Sequence, residues 1–259
     1  QWEQIFDHCR NIGITAFSTP FDFLSADLLR SLDVPAFKIA SGDATNIPLI
    51  EYVAAFGKPM IISTGGCEIA DVDRLTTAMN ATGTPYAILQ CSCIYPAPDD
   101  VLNLRVIEGY RERYDNIVTG LSTHNFDIAP TLGAFALGGR IFEHHYTNDR
   151  EWKGTDNHFS LTPELLGSLR KGLDSLADAL GEPDKYQLPV EEAYTTERRK
   201  SLYWKRALSE GDTVSREDIA ILCPGSGDFQ PYDLDRVVGS TVTGEVTAEE
   251  AVQHSDVTA

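Results

Sequence analysis

The sequence predicts an α/β chain: a (β/α)8 TIM barrel lacking its first two βα units, followed by a small β-rich domain. Three observations carry this. A short apolar run ending in polar residues, followed by an amphipathic stretch, recurs six times between residue 14 and about residue 180. Those runs are nearly continuous in apolar residues, as buried parallel strands are. From about residue 199 the pattern changes to short strands and turns.

The elements follow in order. The opening "QWEQIFDHCRNIG" reads as the last part of an amphipathic helix with Trp2, Ile5, Phe6 and Cys9 on one face. It has no initiator Met, basic leader or signal core, so the chain is expected to be a fragment. The six runs are "ITAFSTP", "PAFKIASG", "KPMIISTGG", "PYAILQCSCIYP", "IVTGLSTH" and "RIFEHHYT". Helical stretches such as "SADLLRSL", "IPLIEYVAAFG" and "LNLRVIEGYRERY" separate them. "LTPELLGSLRKGLDSLADALG" closes the repeat as a long helix, with Thr162 at its N-cap, Pro163 at the first helical position and Gly181 as the stop. A barrel needs eight strands, so two units are expected upstream. An open doubly wound sheet is the alternative, although no G-x-G-x-x-G or Walker loop follows any run. The expected division is a partial barrel over 1–181, a polar linker over 182–198 and a β-rich domain over 199–259.

Composition narrows the function classes. The net charge of −18 argues against a nucleic-acid partner, which requires clustered Lys and Arg. The acidic residues are spread along the chain and read as a solvated surface, or as a surface suited to high salt. No apolar run is long enough to span a membrane. The five cysteines, Cys9, Cys67, Cys91, Cys93 and Cys223, form no C-x-x-C, so a reduced, cytoplasmic protein is expected. Cys91 and Cys93 share one strand face and read as small buried hydrophobes.

In a parallel barrel the chemistry sits at the carboxyl ends of the strands. The six runs end in Ser18 and Thr19; Lys38 and Ser41; Ser63 and Thr64; Gln90, Ser92 and Tyr95; Ser122 and His124; Glu143 and His145. Side-chain alternation puts Glu143 and His145 on one face and His144 on the other. On the preceding run Gly120, Ser122 and His124 share a face. His124 and His145, at the ends of neighbouring strands, either hold one divalent cation or are hydrogen-bonded structural histidines. Lys38 interrupts an apolar run. It either binds phosphate or carboxylate, forms a Schiff base, or reaches the rim with its stem buried. Ser41-Gly42 and Ser63-Thr64-Gly65-Gly66 lie beside it and suit an anion, or simply form turns.

These residues resemble the sialic acid synthase family, the phosphoenolpyruvate-dependent N-acetylneuraminate synthases. "FSTPFD", "LDVPAFKIASGD", "GKPMIISTGG", "LQCSCIYPAP", "GLSTHN", "FEHHYTND", "GTDNHFSLTPEL" and "PGSG" match in order along nearly the whole chain. The resemblance implies a barrel followed by an antifreeze-like SAF domain, and a domain-swapped homodimer in which that domain caps the partner's barrel. It implies a reaction: carbon 3 of phosphoenolpyruvate attacks the aldehyde of an N-acetylated hexosamine such as N-acetylmannosamine, water adds at carbon 2, and phosphate leaves. It also implies a divalent metal, Mn2+ or Mg2+, on His124 and His145. Thr19, Lys38, Ser41, Ser63, Tyr95 and Ser122 would then line the phosphoenolpyruvate site. Asp43, Glu143 and Asp156 would face the sugar, and Lys38, Asp43 and Glu143 would be catalytic. The chain departs from the family pattern at Asp43 (usually Glu), Thr123 (Asp), His144 (Lys), Cys93 (Asn or Ser) and Cys223 (Arg). A metal-dependent aldolase on the same barrel and a non-catalytic sugar-binding protein are the other readings.

Overall fold

The structure, a computed structural model, describes residues 1–258. The chain divides into two compact units, Gln1–Gly181 and Glu182–Ala259.

The first unit alternates helix and strand: α1 (Trp2–Asn11), α2 (Phe23–Ser31), β1 (Phe37–Ile39), α3 (Ile47–Ala54), β2 (Met60–Ser63), α4 (Ile69–Thr82), β3 (Tyr86–Cys91), α5 (Val106–Arg113), β4 (Val118–Thr123), α6 (Ala129–Ala136), β5 (Ile141–His144) and α7 (Pro163–Leu180). All five strands are parallel and ordered β1-β2-β3-β4-β5, with pairs such as Ile62↔Ile88 and Leu89↔Gly120. Two features decide against a doubly wound sheet. The strand order never reverses, whereas doubly wound folds have a switch point. In addition, Lys38 on β1 and Glu143 on β5 form an ion pair at 3.4 Å. Four inter-strand steps of about 4.8 Å would hold these strands ~19 Å apart in a flat sheet. The sheet is therefore strongly curled into half a barrel.

The first predicted strand is a correction. "ITAFSTP" contributes one parallel bridge, Ser18↔Phe37, with the Lys38 N–H donating to the Ser18 carbonyl at 3.1 Å. Ile14 and Phe17 stay exposed, so little burial favours extending the ladder. The apolar face predicted for α1 is also narrower than expected. Phe6 is buried, whereas Trp2 and Ile5 are half exposed. The closing helix α7 starts and stops as its sequence predicts. The Leu165 N–H donates to Thr162 Oγ1 at 3.4 Å, and Gly181 follows the last turn at φ 53°.

The core packs Phe37, Ile39, Met60, Ile62 and Ile88 of the sheet under Leu49, Ile50, Leu75 and Met79 of α3 and α4. Gly120 of β4 allows β5 to approach: a Cβ there would overlap the Ile141 carbonyl oxygen and crowd Leu89 Cδ2 at 2.8 Å. Gly120→Ala is expected to destabilise the unit by about 2–3 kcal/mol, the usual cost of overpacking. Urea denaturation would measure the loss, and an unchanged midpoint would contradict the close packing of β4 on β5.

The second unit begins within the stretch read as a linker. That stretch carries a short 3-10 turn, Pro189–Glu191, and α8 (Glu192–Arg198). Pro189 at the first helical position and the helix-favouring run after it account for the difference. Then come β6 (Ser201–Trp204) and β7 (Ile219–Leu222), paired antiparallel, α9 (Leu234–Val237), and β8 (Thr241–Val242) paired with β9 (Val257–Thr258). Its core gathers Leu202, Trp204, Leu208, Val237 and Val252, and the Trp204 indole donates to Asp256 Oδ2 at 3.3 Å. Among the described residues no helix is long and apolar enough to cross a membrane.

Candidate functional site

The curl gathers polar strand ends onto one rim. Lys38 is 7% exposed; its ammonium donates to the Ile39 carbonyl at 2.7 Å and faces Glu143 Oε2 at 3.4 Å. Burial pushes the Lys38 pKa below its ordinary value, and the Glu143 carboxylate opposes that shift. Ser122, buried on β4, donates to the other oxygen of Glu143 at 3.2 Å. The Glu143 carboxylate thus lies between a cation from the first strand and a hydroxyl from the fourth.

The imidazoles stand beside this pair. His124 is buried, and its Nδ1 lies 3.2 Å from the Ser92 carbonyl oxygen, which fixes the proton on Nδ1. His145 Nδ1 lies 3.4 Å from Asp156 Oδ2. The two ring centroids are 5.2 Å apart. Tyr95 stacks on His124 at 3.8 Å, and Phe159 backs His145 at 5.1 Å. Both Nδ1 atoms face an oxygen acceptor, so Nε2 is the atom each ring offers to a ligand. An imidazole whose second nitrogen is held by a carbonyl or carboxylate is the usual metal-ligand arrangement. The pair fits a divalent ion with two protein donors. No group of three or more His, Cys, Asp or Glu among the described residues would hold one alone, so the remaining positions would fall to water or substrate.

His144 takes the opposite face, as alternation predicts: its Nε2 is 2.7 Å from Thr131 Oγ1 on α6. Burial, with smaller contributions from the His124 and His145 imidazoles, pushes its pKa from 6.5 down to about 4. The unfolded chain therefore takes up this proton first as the pH falls. Stability is complete above the unfolded value and is lost between about pH 6.5 and 4, by about 3 kcal/mol. Thermal melts across that range should show this slope in the native chain and lose most of it in His144→Gln. An equal slope in both would assign the acid sensitivity elsewhere.

The other predicted residues divide. Ser41 Oγ accepts from the Gly65 N–H at 3.0 Å, which ties the loop after β1 to the loop after β2. Ser63 Oγ is buried with no hydrogen-bond partner among the described residues. An orphaned hydroxyl at a strand end is a sign of a ligand-binding position. Thr19 is half buried next to the Ser18 bridge. Asp43, read as catalytic, ends the 3-10 turn Ser41–Asp43 that follows β1. Its carboxylate accepts from Asn46 Nδ2 at 2.9 Å, and Asn46 in turn caps α3, so Asp43 serves the helix start. The Ser92 carbonyl and the Phe159 wall were not foreseen. A backbone acceptor has no sequence signature, and Phe159 ends a three-residue 3-10 turn, Asn157–Phe159, too short to carry a periodic signal.

A curled parallel sheet with a cation, a carboxylate and two oriented imidazoles at its carboxyl ends has the arrangement of a barrel-type enzyme site. The NeuB family model matches residues 1–185, and the chain belongs to the NeuB family. It is 32% identical to the human N-acetylneuraminate-9-phosphate synthase over 96% of this chain and 69% of that protein. It is 30% identical to the N,N'-diacetyllegionaminic acid synthase of Campylobacter jejuni over 97% of this chain and 75% of that one. A crystal structure of a spore coat polysaccharide biosynthesis protein E from Chromobacterium violaceum superposes with a TM-score of 0.80 at 26% identity, covering 100% of this chain and 78% of that one.

Proposed function

We propose that the protein condenses phosphoenolpyruvate with an N-acetylated hexosamine, N-acetylmannosamine or a related sugar, to a nine-carbon sialic acid-type 2-keto acid, releasing phosphate. The observation that carries this reading is the Lys38–Glu143 pair closing the rim beside His124 and His145. Lys38 and the orphaned Ser63 hydroxyl bind the anionic groups of phosphoenolpyruvate, with Ser41, Ser122, Tyr95 and Thr19 lining that side. Glu143 holds the proton shed by the water that adds at carbon 2, as its carbon 3 bonds to the aldehyde carbon and phosphate departs. Asp156 faces the sugar and orients His145. His124 and His145 hold Mn2+ or Mg2+, which when bound supplies Lewis-acid polarisation of the aldehyde oxygen. NeuB-family membership and relatives named as N-acetylneuraminate-9-phosphate and N,N'-diacetyllegionaminic acid synthases support the reaction class.

The finer architecture is part of the proposal. Two further βα units complete the barrel, with the bridge-forming run at Ser18 taking the strand position beside β1; the second unit is an SAF-type domain, and it caps the partner's barrel in a cytoplasmic, domain-swapped homodimer. The test is phosphate release from phosphoenolpyruvate with N-acetylmannosamine and Mn2+. It is run on this chain and on one extended upstream by about 80 residues, the size of two βα units. Release that needs both substrates and the cation is expected from the extended form. Sugar cleavage without phosphoenolpyruvate would replace the reading with an aldolase. Ligand binding without turnover across a panel of N-acetylated hexosamines would replace it with a binding protein.

A further inference from the structure

Three of the five cysteines, Cys67, Cys91 and Cys93, line one cavity of about 400 Å3 at the ends of β2 and β3. Their settings differ: Cys91 is buried, Cys67 is half buried and Cys93 is exposed. The expectation that both cysteines of "CSC" are buried hydrophobes therefore holds for Cys91 and fails for Cys93. The chain leaves β3 after Cys91 and turns, with the Ile94 N–H donating to the Ser92 carbonyl at 2.8 Å. The sulfurs of Cys91 and Cys93 both lie within 3.1 Å of the position a Cβ on Gly65 would occupy, so the missing side chain of Gly65 leaves room for them to meet. Ser122 is the cross-strand partner of Cys91 on β4, and Ser41 Oγ shares the space over Gly65 with both sulfurs, so these hydroxyls and Cys93 act on the Cys91 thiol. Ser122 donates to Glu143, and Glu143 pairs with Lys38. A path of direct contacts thus runs from an exposed thiol to the ion pair of the candidate site.

We propose that Cys91 and Cys93 form a dithiol modification site for hydroperoxides, and that the disulfide formed there disables the adjoining site. In the first step the Cys93 thiolate attacks the terminal peroxide oxygen, the O–O bond breaks, and the second oxygen takes up a proton and leaves as water from hydrogen peroxide or as an alcohol from an organic hydroperoxide. Cys93 is then a sulfenic acid. In the second step the Cys91 sulfur attacks the Cys93 sulfur. The S–S bond forms, the S–O bond breaks, and hydroxide leaves as water with the Cys91 proton. The two thiols lose two electrons and the peroxide gains them. Exposure makes Cys93 the first to react. Burial raises the Cys91 thiol above its ordinary pKa, so Cys91 stays protonated and unreactive toward peroxide itself and reacts only with a sulfenic acid held beside it. The reach is sufficient, because the turn after Cys91 already brings both sulfurs within 3.1 Å of one point over Gly65, and side-chain rotation can close the remaining gap. Pairing with Cys93 removes the Cys91 sulfur from Ser41 and Ser122. That disturbs the loop contact to Gly65 and the hydroxyl that orients Glu143.

The disabling effect rests on the synthase reading, but the thiol chemistry does not. Reduced protein is treated with hydrogen peroxide, and free thiols and peptide masses are followed. The expected result is a fall from five thiols to three, with the peptide holding Cys91 and Cys93 lighter by two hydrogens and restored by dithiothreitol. Cys93→Ser should lose this reversible change, and Cys67→Ser should keep it; circular dichroism verifies that both variants fold. Five thiols remaining, a Cys67–Cys93 link, or irreversible oxidation of Cys93 alone would each overturn the proposal. In the phosphate-release assay the oxidised form should retain under a tenth of the reduced activity, recovered on reduction. Equal activities would overturn the disabling effect. Phosphate release absent from reduced protein would count against the synthase reading, and the mass shift would still decide the dithiol.

Discussion

Replacing Lys38 with Met is expected to lower kcat/KM for phosphoenolpyruvate by about 10²–10³-fold, the range seen when one preorganised electrostatic contact to a reacting group is removed. Met preserves the stem, which is buried among strand residues, so packing survives while the charge goes. The partner left behind is Glu143, whose side chain is 43% exposed and can be solvated, so the melting temperature should move little. Glu143→Gln should remove the proton-holding group while keeping the Ser122 hydrogen bond. The two variants should differ in kind: Lys38→Met should raise KM for phosphoenolpyruvate as well as lower kcat, and Glu143→Gln should act mainly on kcat. A Lys38→Met enzyme within tenfold of the native one would show that this ammonium is structural, despite its position.

The second large effect separates neighbouring histidines. His145→Ala should abolish activity that depends on a divalent cation and remove Mn2+ binding measured by titration calorimetry. His144→Ala should retain activity within about tenfold, because its ring turns away to Thr131 on α6. Its cost should appear as lost stability, the usual outcome of truncating a packed side chain. Asp156→Asn should fall between them, weakening Mn2+ binding about 10–100-fold as the carboxylate behind a ligating imidazole is lost. Equal loss of Mn2+ binding in His144→Ala and His145→Ala would refute the assignment of the two faces.

Much of the first unit was legible because its information is local. Buried parallel strands must be apolar along their length, and helices between them announce their starts and stops by capping chemistry. That is why α7 begins after Thr162 and ends before Gly181 as read. Alternation also assigned Glu143 and His144 to opposite faces correctly, since a strand's period of two leaves no choice. The failure at the first strand has a physical cause. "ITAFSTP" has the composition of a strand, but a longer ladder also needs something to bury against, and Ile14 and Phe17 stay exposed. The partner of Asp43, the Asn46 amide, likewise has no mark in the strand pattern.

What the sequence determined by itself was the kind of elements, their order, and the set of polar residues that end the strands. Only the tertiary structure decided which of those residues meet. The contact between Lys38 and Glu143 spans five strands, and it exists because the sheet curls by twist and packing accumulated over every strand pair. The same holds for the Ser92 carbonyl behind His124 and for the two sulfurs over Gly65. Backbone acceptors and the space left by a missing side chain have no letter in the sequence. They arise when distant segments are brought within a few ångströms, and so they are settled by packing.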